Sequence, residues 1–399
     1  MLENSFRGAA PDRAAPPALA AVRHLLPEVF LDAPVSTPRA LAEAAAPAFE
    51  KTWALAFKNL SSATAENGFA APFLDSAFND CLFMWDSVFC LAFARFGRRA
   101  FAFQRTLDTF YRKQHPDGFI SREIQESDGQ DKFHRADLPS TGPNILAWAE
   151  WEHYEMSGDL ERLRRVFPPL AAFHSWMAKH RTHADGSYFS CGLACGMDNQ
   201  PRVPPGSSAW CDHGFSSWVD ATAQALLSAQ LLVRMAEALG DAGEGGSRAA
   251  LVRELRAESA ALVCVLNERL WCERRQMYCD RRLRGDQALS DVKTVGSFWT
   301  LLAGAVPRER LHAFAAHLDD PREFNRPTRV PSLSADHSEY RADGGYWLGA
   351  SWPSTTYMVL RGLTAAGLHD HAADIGLNVR RVDAHTHAHA HAHTLTLTR

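Results

Sequence analysis

The pattern of apolar and polar positions repeats with the period of an α-helix along most of the chain. Apolar residues recur three and four positions apart, and the strict alternation that indicates a half-buried β-strand is almost absent. This pattern predicts about eleven helices, over residues 38–60, 85–97, 98–114, 142–157, 159–180, 215–240, 247–272, 291–304, 307–318, 352–367 and 369–379. The predicted fold class is all-α.

The connections between these helices alternate between short and long. Gly97-Arg98 and Gly158-Asp159 are tight turns, whereas residues 115–141, 181–214 and 319–351 are long segments. Helical hairpins stacked in a ring collect all their long loops on one face. We therefore predict an (α/α)6 toroid of six hairpins. Six hairpins need twelve helices, so the last inner helix is missing from the predicted set.

Three segments make up the predicted organisation of the chain. Residues 1–37 form an irregular N-terminal arm, residues 38–379 form one helical domain, and residues 380–399 form a low-complexity His/Ala/Thr tail. The tail alternates His with Ala, which gives a helix no apolar face, so we expect it to be disordered or weakly extended. A frameshift or a truncated gene explains this tail better than a metal-binding histidine tract.

Composition and charge exclude several classes of function. The 399 residues carry a net charge of -4, and Lys and Arg are scattered rather than clustered, so no nucleic-acid partner is predicted. No apolar run approaches the roughly 18 residues that span a membrane, and the N-terminus lacks a secretory signal, which predicts a cytoplasmic protein without membrane contact. The cysteines do not follow a common zinc spacing. No metal and no cofactor are predicted, and nothing indicates the oligomeric state.

Asp198 is the most informative candidate for chemistry. It lies between Gly196 and Pro201, where neither a helix nor a strand continues, so a loop must display it. A loop carboxylate beside amides, a cation and indole rings suits the donation of a proton to a sugar oxygen. The alternative is an Asx-turn, in which the side chain caps its own backbone.

Polar and aromatic segments gather on the same face of the predicted ring. They precede or follow helices at the long loops, and include residues 84–87, 114–123, 141–144 and 345–353. These segments predict a pocket in which indoles stack on sugar rings and polar side chains bind hydroxyls. Four tryptophans on amphipathic helices are assigned to the core instead: Trp148, Trp151, Trp176 and Trp271.

Three motifs resemble glycoside hydrolase family 63, in its mannosylglycerate-hydrolase-like branch, to which the trehalases are related. They are residues 83–87, 195–202 and 344–353, and the resemblance spans roughly residues 80–379. It implies an (α/α)6 barrel that hydrolyses an α-glycosidic bond with inversion, with Asp198 as general acid. The residues expected to bind the substrate are Trp85, Asp86, Gln114, His115, Asn199, Arg202, Trp347 and Trp352.

Inversion also needs a carboxylate about 6.5–9.5 Å from the acid to activate water. The resemblance implies a glutamate after the eleventh helix, and this chain shows no matching motif there. Glu123, Asp336 and Glu339 are weak substitutes, because pairing with arginine or sugar hydroxyls explains them more simply. The functional alternatives are therefore an inverting α-glycosidase for a small α-glucoside or α-mannoside, a catalytically impaired sugar-binding fragment, and an α,α-trehalase-like hydrolase.

The sequence does not identify the leaving group of the substrate. Three arginines lie in segments predicted to be near the pocket: Arg122, Arg202 and Arg341. Each could pair with a carboxylate such as glycerate through two parallel hydrogen bonds. Ion pairing with the many loop carboxylates is an equally good explanation.

Overall fold

The computed structural model describes residues 3–27, 39–243 and 245–378. The predicted tail at 380–399 lies outside the described residues, as do residues 28–38 at the junction between the predicted arm and the helical domain.

Helices dominate the described chain. The outer helices are α2 (Arg39–Lys58), α4 (Thr106–Lys113), α6 (Leu160–His180), α9 (Ala249–Cys264), α11 (Arg308–Ala315) and α13 (369–378). The inner helices are α3 (Met84–Ala94), α5 (Leu146–Ser157), α8 (Val219–Ala238), α10 (Trp299–Leu302) and α12 (Pro353–Ala365). Two short helices, α1 (Leu19–Val22) and α7 (Gly192–Cys195), lie in the N-terminal segment and in the loop after α6.

The inner helices follow one another around a ring. Helix α3 contacts α5, α5 contacts α8, α8 contacts α10, and α10 contacts α12. Helix α8 is buried along almost its whole length, whereas α6 and α9 bury one face each, as inner and outer helices should. The prediction of an (α/α)6 toroid is confirmed. Across residues 3–27, 39–243 and 245–378 the ring has five inner helices.

Local sequence signals explain the helix ends that were predicted well. Gly158 adopts φ +68° and ends α5, and the side chain of Asp159 then caps α6 by accepting a hydrogen bond from the Arg162 N–H at 2.9 Å. The tight α5–α6 hairpin follows from these two neighbouring residues.

Four helices begin four or more residues later than predicted. Helix α8 begins at Val219 rather than at 215, and α10 begins at Trp299 rather than at 291. Helix α4 begins at Thr106 rather than at 98, because Phe101 and Phe103 pack edge to face in a turn and a short 3-10 segment. Helix α5 begins at Leu146 rather than at 142, because Pro143 and Asn144 remain in the preceding loop. The apolar residues in the stretches before α4 and α5 pack into the core without being helical.

Short antiparallel strands tie the long loops together. β1 (Leu60–Ser61) pairs with β2 (Phe73–Leu74), and β3 (Cys81–Phe83) pairs with β4 (Glu123–Gln125). β5 (Ser216–Ser217) pairs with β8 (Arg281–Arg282), and β6 (Trp271–Cys272) pairs with β7 (Met277–Tyr278). The register of β3 and β4 places Phe83 opposite Glu123, so the loop before α5 lies beside the start of α3.

The core fills the space between the two rings of helices. Trp148, Trp151, Trp176 and Trp271 are all buried, which confirms their predicted role in packing. Phe6 from the N-terminal segment is also buried and packs on Tyr111 with ring centroids 5.3 Å apart. Among the described helices, none is long and apolar enough to cross a membrane.

Candidate active site

A cavity of about 940 Å³ opens on the face that carries the long loops. It is lined from the start of α3, from the loops before α5 and after α6, from the segment before α12, and from α12 itself. Its aromatic lining residues include Phe78, Phe83, Trp85, Phe89, Phe93, Phe96, Trp210, Tyr346, Trp347, Trp352 and Tyr357. Its charged lining residues are Asp86, Arg122, Glu123 and Asp198. The structure therefore brings together the three motifs singled out in the sequence.

Asp198 is half-buried in this cavity, and the loop that carries it is held close to α3. Gly196 has φ +78°, and a Cβ there would lie 2.6 Å from the indole of Trp85. Glycine thus allows both the left-handed turn and the contact with Trp85. The hydroxyl of Tyr346 donates a hydrogen bond to Oδ2 of Asp198 at 2.7 Å. The Asp198 side chain is therefore bound across the cavity and does not cap its own loop through this oxygen.

Asn199, the next residue, joins two loops. Its side-chain amide donates to the carbonyl of Gly345 at 3.0 Å, and its oxygen accepts from the backbone N–H of Trp347 at 3.0 Å. The residue fixes the segment with Tyr346 and Trp347 relative to Asp198. Asn199 was predicted to bind substrate, and the structure gives it this positioning contact instead.

Arg202 anchors the base of the same loop. Its guanidinium donates to both carboxylate oxygens of Asp220 and to both of Asp280, at 2.7–2.8 Å, and its side chain is fully buried. It also lies over the ring of Trp218, 4.0 Å from the centroid. The charge-assisted hydrogen bonds of Arg202 are therefore all made to buried carboxylates of the protein itself. This corrects the prediction that Arg202 contacts the substrate.

An aromatic wall forms the side of the cavity next to Asp198. The rings of Trp347 and Trp352 are stacked with centroids 4.6 Å apart, and Trp85 meets Trp347 edge to face at 6.4 Å. Tyr346 meets Trp352 edge to face, and Trp210 stacks on Tyr346 at 6.1 Å. Trp85, Trp347 and Trp352 all line the cavity, where the sequence predicted sugar-binding indoles.

The carboxylates of the cavity share a low-polarity environment. Burial raises the pKa of Asp86 to about 6, and the negative charge of Asp198 contributes to the rise. Burial also raises the pKa of Asp198, against the opposing effects of the Tyr346 hydrogen bond and the charge of Arg122. A carboxyl group with a raised pKa holds its proton closer to neutral pH, which a general acid requires.

Arg122 and Glu123 face the cavity as a pair. Arg122 Nη1 lies 2.5 Å from a carboxylate oxygen of Glu123, and Arg122 Nε donates to the carbonyl of Pro139 at 2.7 Å. Burial raises the pKa of Glu123, while the charge of Arg122 lowers it. The Phe133 ring lies 4.7 Å from the guanidinium carbon. Arg122 is thus held on three sides.

Gln114 and His115 do not line the cavity that the described residues form. The Gln114 amide donates to the carbonyls of Gly118 and Pro169 and accepts from Asn4. His115 pairs with Asp131 through Nε2 at 2.7 Å. Both side chains secure the turn after α4 and not a ligand, which corrects their predicted contact with the sugar.

Two of the three substitute bases also lie away from the cavity lining. Asp336 pairs with Lys293 and accepts from Ser334 Oγ at 2.7 Å. Glu339 is exposed in the loop before α12. Because Lys293 already binds Asp336 and solvent surrounds Glu339, neither is placed to activate water in the cavity. Glu123 alone among the three is a lining residue.

Sequence reasoning missed several lining residues. Trp210 lies in the long loop after Asp198, where no periodicity assigns a direction to a side chain. Phe89 and Phe93 follow Trp85 at spacings of four along α3, and Tyr357 follows Pro353 along α12. That spacing was the available signal, since one face of each inner helix must line the centre of the ring. Tyr346 was seen only as part of its motif.

The described residues contain no group of three or more His, Cys, Asp or Glu side chains arranged to hold a metal ion. Cys191 and Cys195 are buried, Cys211 is exposed, and the His213 ring packs against His183, Phe189 and Phe215.

Comparison with known proteins identifies the family to which the chain belongs. Residues 81–394 match the family described as mannosylglycerate hydrolase MGH1-like glycoside hydrolase domain. The chain is 24% identical over 225 residues to a probable mannosyl-oligosaccharide glucosidase of Schizosaccharomyces pombe, a match that covers 55% of this chain and 25% of that protein. The chain spans about half or less of the curated relatives it matches, 51% and 25% of their lengths.

Solved structures share the fold. The GH63 mannosylglycerate hydrolase of Thermus thermophilus, in complex with glucose, superposes with a TM-score of 0.65 at 21% identity, covering 82% of this chain and 89% of that one. The neutral trehalase Nth1 of Saccharomyces cerevisiae superposes with a TM-score of 0.57 at 11% identity, over 75% of this chain and 64% of that one.

Proposed function

Because the chain belongs to the mannosylglycerate-hydrolase-like branch of glycoside hydrolase family 63, we propose that it is an inverting glycosidase for a small α-glucoside or α-mannoside. Asp198 is the general acid in this proposal. One observation supports it most directly: the Asp198 carboxyl is half-buried in the aromatic-lined cavity, oriented by Tyr346, with its pKa raised by burial.

The described side chains have separate roles in the proposed reaction. Trp85 and Asp86, at the start of α3, hold the sugar that is attacked, the indole against its C–H face and the carboxylate on its hydroxyls. Trp347 and Trp352 enclose it, which excludes water and strengthens the electrostatic effect of Asp198. Asp198 gives its proton to the glycosidic oxygen as the C–O bond breaks, so the leaving group departs as a neutral alcohol.

Activation of the water requires a second carboxylate on the opposite side of the ring. Among the lining residues of the described chain, Glu123 is the candidate that the sequence also named. A second function is favoured by one contact: the carboxylate of Glu123 is already paired with Arg122 at 2.5 Å. The guanidinium of Arg122 competes with an attacking water for this carboxylate, so the alternative is a protein that binds sugars without hydrolysing them.

Turnover of a panel of α-glycosides tests this proposal. The panel comprises mannosylglycerate, glucosylglycerate, trehalose, and α-linked glucose and mannose disaccharides, and the first-formed anomer is observed by proton NMR. We expect at least one substrate to be cleaved, with the attacked sugar released first as its β-anomer; trehalose should therefore give α- and β-glucose in equal amounts. Saturable binding without turnover would support the second function, and release of the attacked sugar first as its α-anomer would refute inversion. The absence of both turnover and binding would refute both functions.

A further inference from the structure

The cavity is enclosed on one side of Asp198 and open on the other. Trp347 is only 4% exposed, whereas Tyr346 and Trp210 are 39% and 43% exposed. The Asp198 carboxyl is bound to Tyr346 and so lies where the enclosed part meets the open part. If the attacked sugar occupies the enclosed part, the group that leaves must lie over Tyr346 and Trp210.

Tyr346 is held rigidly in this position. Three consecutive residues, Gly344, Gly345 and Tyr346, have φ of +100°, +48° and +68°, and a tyrosine in this region is strained. The strain is maintained by surrounding contacts. The Asn199 side chain binds the backbone on either side of Tyr346, and Trp352 Nε1 donates to the Tyr346 carbonyl at 3.1 Å.

Trp210 extends the platform that Tyr346 begins. The two rings are nearly parallel, with an interplanar angle of 23°. The backbone of Trp210 is fixed as well, because its carbonyl accepts from the Leu193 N–H in α7 at 3.0 Å. A large indole left 43% exposed on an anchored backbone, lining the cavity, is not explained by core packing.

The charges of the cavity oppose an anionic leaving group. Three carboxylates line it, those of Asp86, Glu123 and Asp198, against one described arginine, Arg122. Arg122 is bound by Glu123 and by the Pro139 carbonyl.

The other two arginines considered for a carboxylate are engaged elsewhere. Arg202 is buried in its pairs with Asp220 and Asp280, and Arg341 is exposed and pairs with Asp343 outside the lining. Neither is therefore placed to neutralise an anion beside Asp198.

We propose that Trp210 and Tyr346 form the subsite for the leaving group, and that this group is an uncharged sugar ring rather than a carboxylate such as glycerate. The inference rests on the proposed function, since it takes Asp198 as the proton donor. The C–H face of a pyranose stacks on an aromatic ring at little desolvation cost. A glycerate carboxylate in the same cavity would meet no unpaired cation among the described lining residues, because Arg122 is already bound by Glu123.

Binding measurements on Asp198→Asn test the inference without interference from turnover. Calorimetry gives the Kd of α-linked glucose and mannose disaccharides, of glucosylglycerate and mannosylglycerate, and of free glucose and mannose. Disaccharides should bind more tightly than glycosylglycerates. Adding Trp210→Ala should weaken disaccharide binding roughly five- to tenfold and leave monosaccharide binding unchanged, while Trp210→Phe should restore most of the loss.

Phe215→Ala is the matched control, because Phe215 is 44% exposed and does not line the cavity. It should leave every Kd unchanged. Tighter binding of glycosylglycerates, or no effect of Trp210→Ala on disaccharides, would overturn the leaving-group inference. Those results would leave the proposed function standing if the wild-type chain cleaves glycosylglycerates. If no sugar binds, both are overturned.

Discussion

The phenolic hydroxyl of Tyr346 donates a hydrogen bond to Oδ2 of Asp198 at 2.7 Å, across 148 positions of sequence. A donor on one carboxyl oxygen leaves the other oxygen to carry the transferable proton. The same bond stabilises the ionised form of Asp198, and therefore limits the rise in pKa that burial causes. Tyr346 thus orients the carboxyl of Asp198, the proposed general acid, and opposes the rise in its pKa.

Tyr346→Phe should raise the pKa of Asp198 further, since burial remains and the stabilising donor is lost. Because the acid must be protonated, the alkaline limb of kcat/KM should move to higher pH, and kcat should fall as the carboxyl loses its orientation. Tyr154→Phe, outside the cavity lining, is the control. Carbon-13 NMR of labelled aspartate would follow Asp198 directly, and an unchanged or lower pKa in Tyr346→Phe would contradict this account.

Gly196→Ala should damage the site more than the fold. A Cβ at Gly196 would lie 2.6 Å from the Trp85 indole, in addition to the strain of φ +78°. Gly186→Ala is the matched control, since Gly186 has φ +83° and nothing within 4 Å of the added Cβ. Strain alone should cost each variant about 1–2 kcal/mol of unfolding free energy. Only Gly196→Ala should also weaken sugar binding, and equal binding by both variants would show that Trp85 does not hold the sugar.

Arg202→Met should destabilise the protein strongly. It leaves Asp220 and Asp280 buried without their cation, which typically costs about 3–5 kcal/mol. Arg341→Met removes an exposed pair with Asp343 and should change urea unfolding little. If the two variants unfold at the same urea concentration, Arg202 does not anchor the loop as described.

The fold was readable from the sequence to a greater extent than the site. Helical periodicity and signals such as Gly158-Asp159 are local, and they located the elements of the ring. The errors at the starts of α4 and α5 arose where apolar residues pack in turns, so that a helical pattern accompanies a different backbone.

The site depended on partners that are distant in sequence. Arg202 looked like a substrate ligand because its partners, Asp220 and Asp280, lie 18 and 78 positions away. Gln114 was misassigned for a similar reason, since it binds the carbonyl of Pro169 across 55 positions. The position of Asp198 in a loop of the cavity, by contrast, was predictable, because Gly196 and Pro201 mark the loop locally.

Asp86 predicts a pH-dependent effect on stability. Its folded pKa is about 6, above the ordinary value of 3.8, so the folded state binds this proton more tightly than the unfolded state. Its contribution to stability is present below the ordinary pKa and is lost as pH rises through about 6.

Asp86→Asn should therefore gain stability relative to the wild type on going from about pH 4 to about pH 7. Urea unfolding of both proteins at the two pH values measures this change in relative stability. Asp343→Asn is the control with the opposite sign, because the Arg341 hydrogen bond lowers the pKa of exposed Asp343. If the difference in stability between Asp86→Asn and the wild type does not change with pH, burial does not raise the pKa of Asp86.

The proton transfer from Asp198 is the central claim, and the dependence on leaving group tests it most directly. Hydrolysis of an α-linked disaccharide and of the corresponding α-glycosyl fluoride is measured with the wild type and with Asp198→Asn. Fluoride departs without protonation, so Asp198→Asn should lose roughly 10²–10⁴-fold in kcat/KM on the disaccharide and little on the fluoride. Equal losses on both substrates, or full activity on the disaccharide, would contradict Asp198 as the general acid.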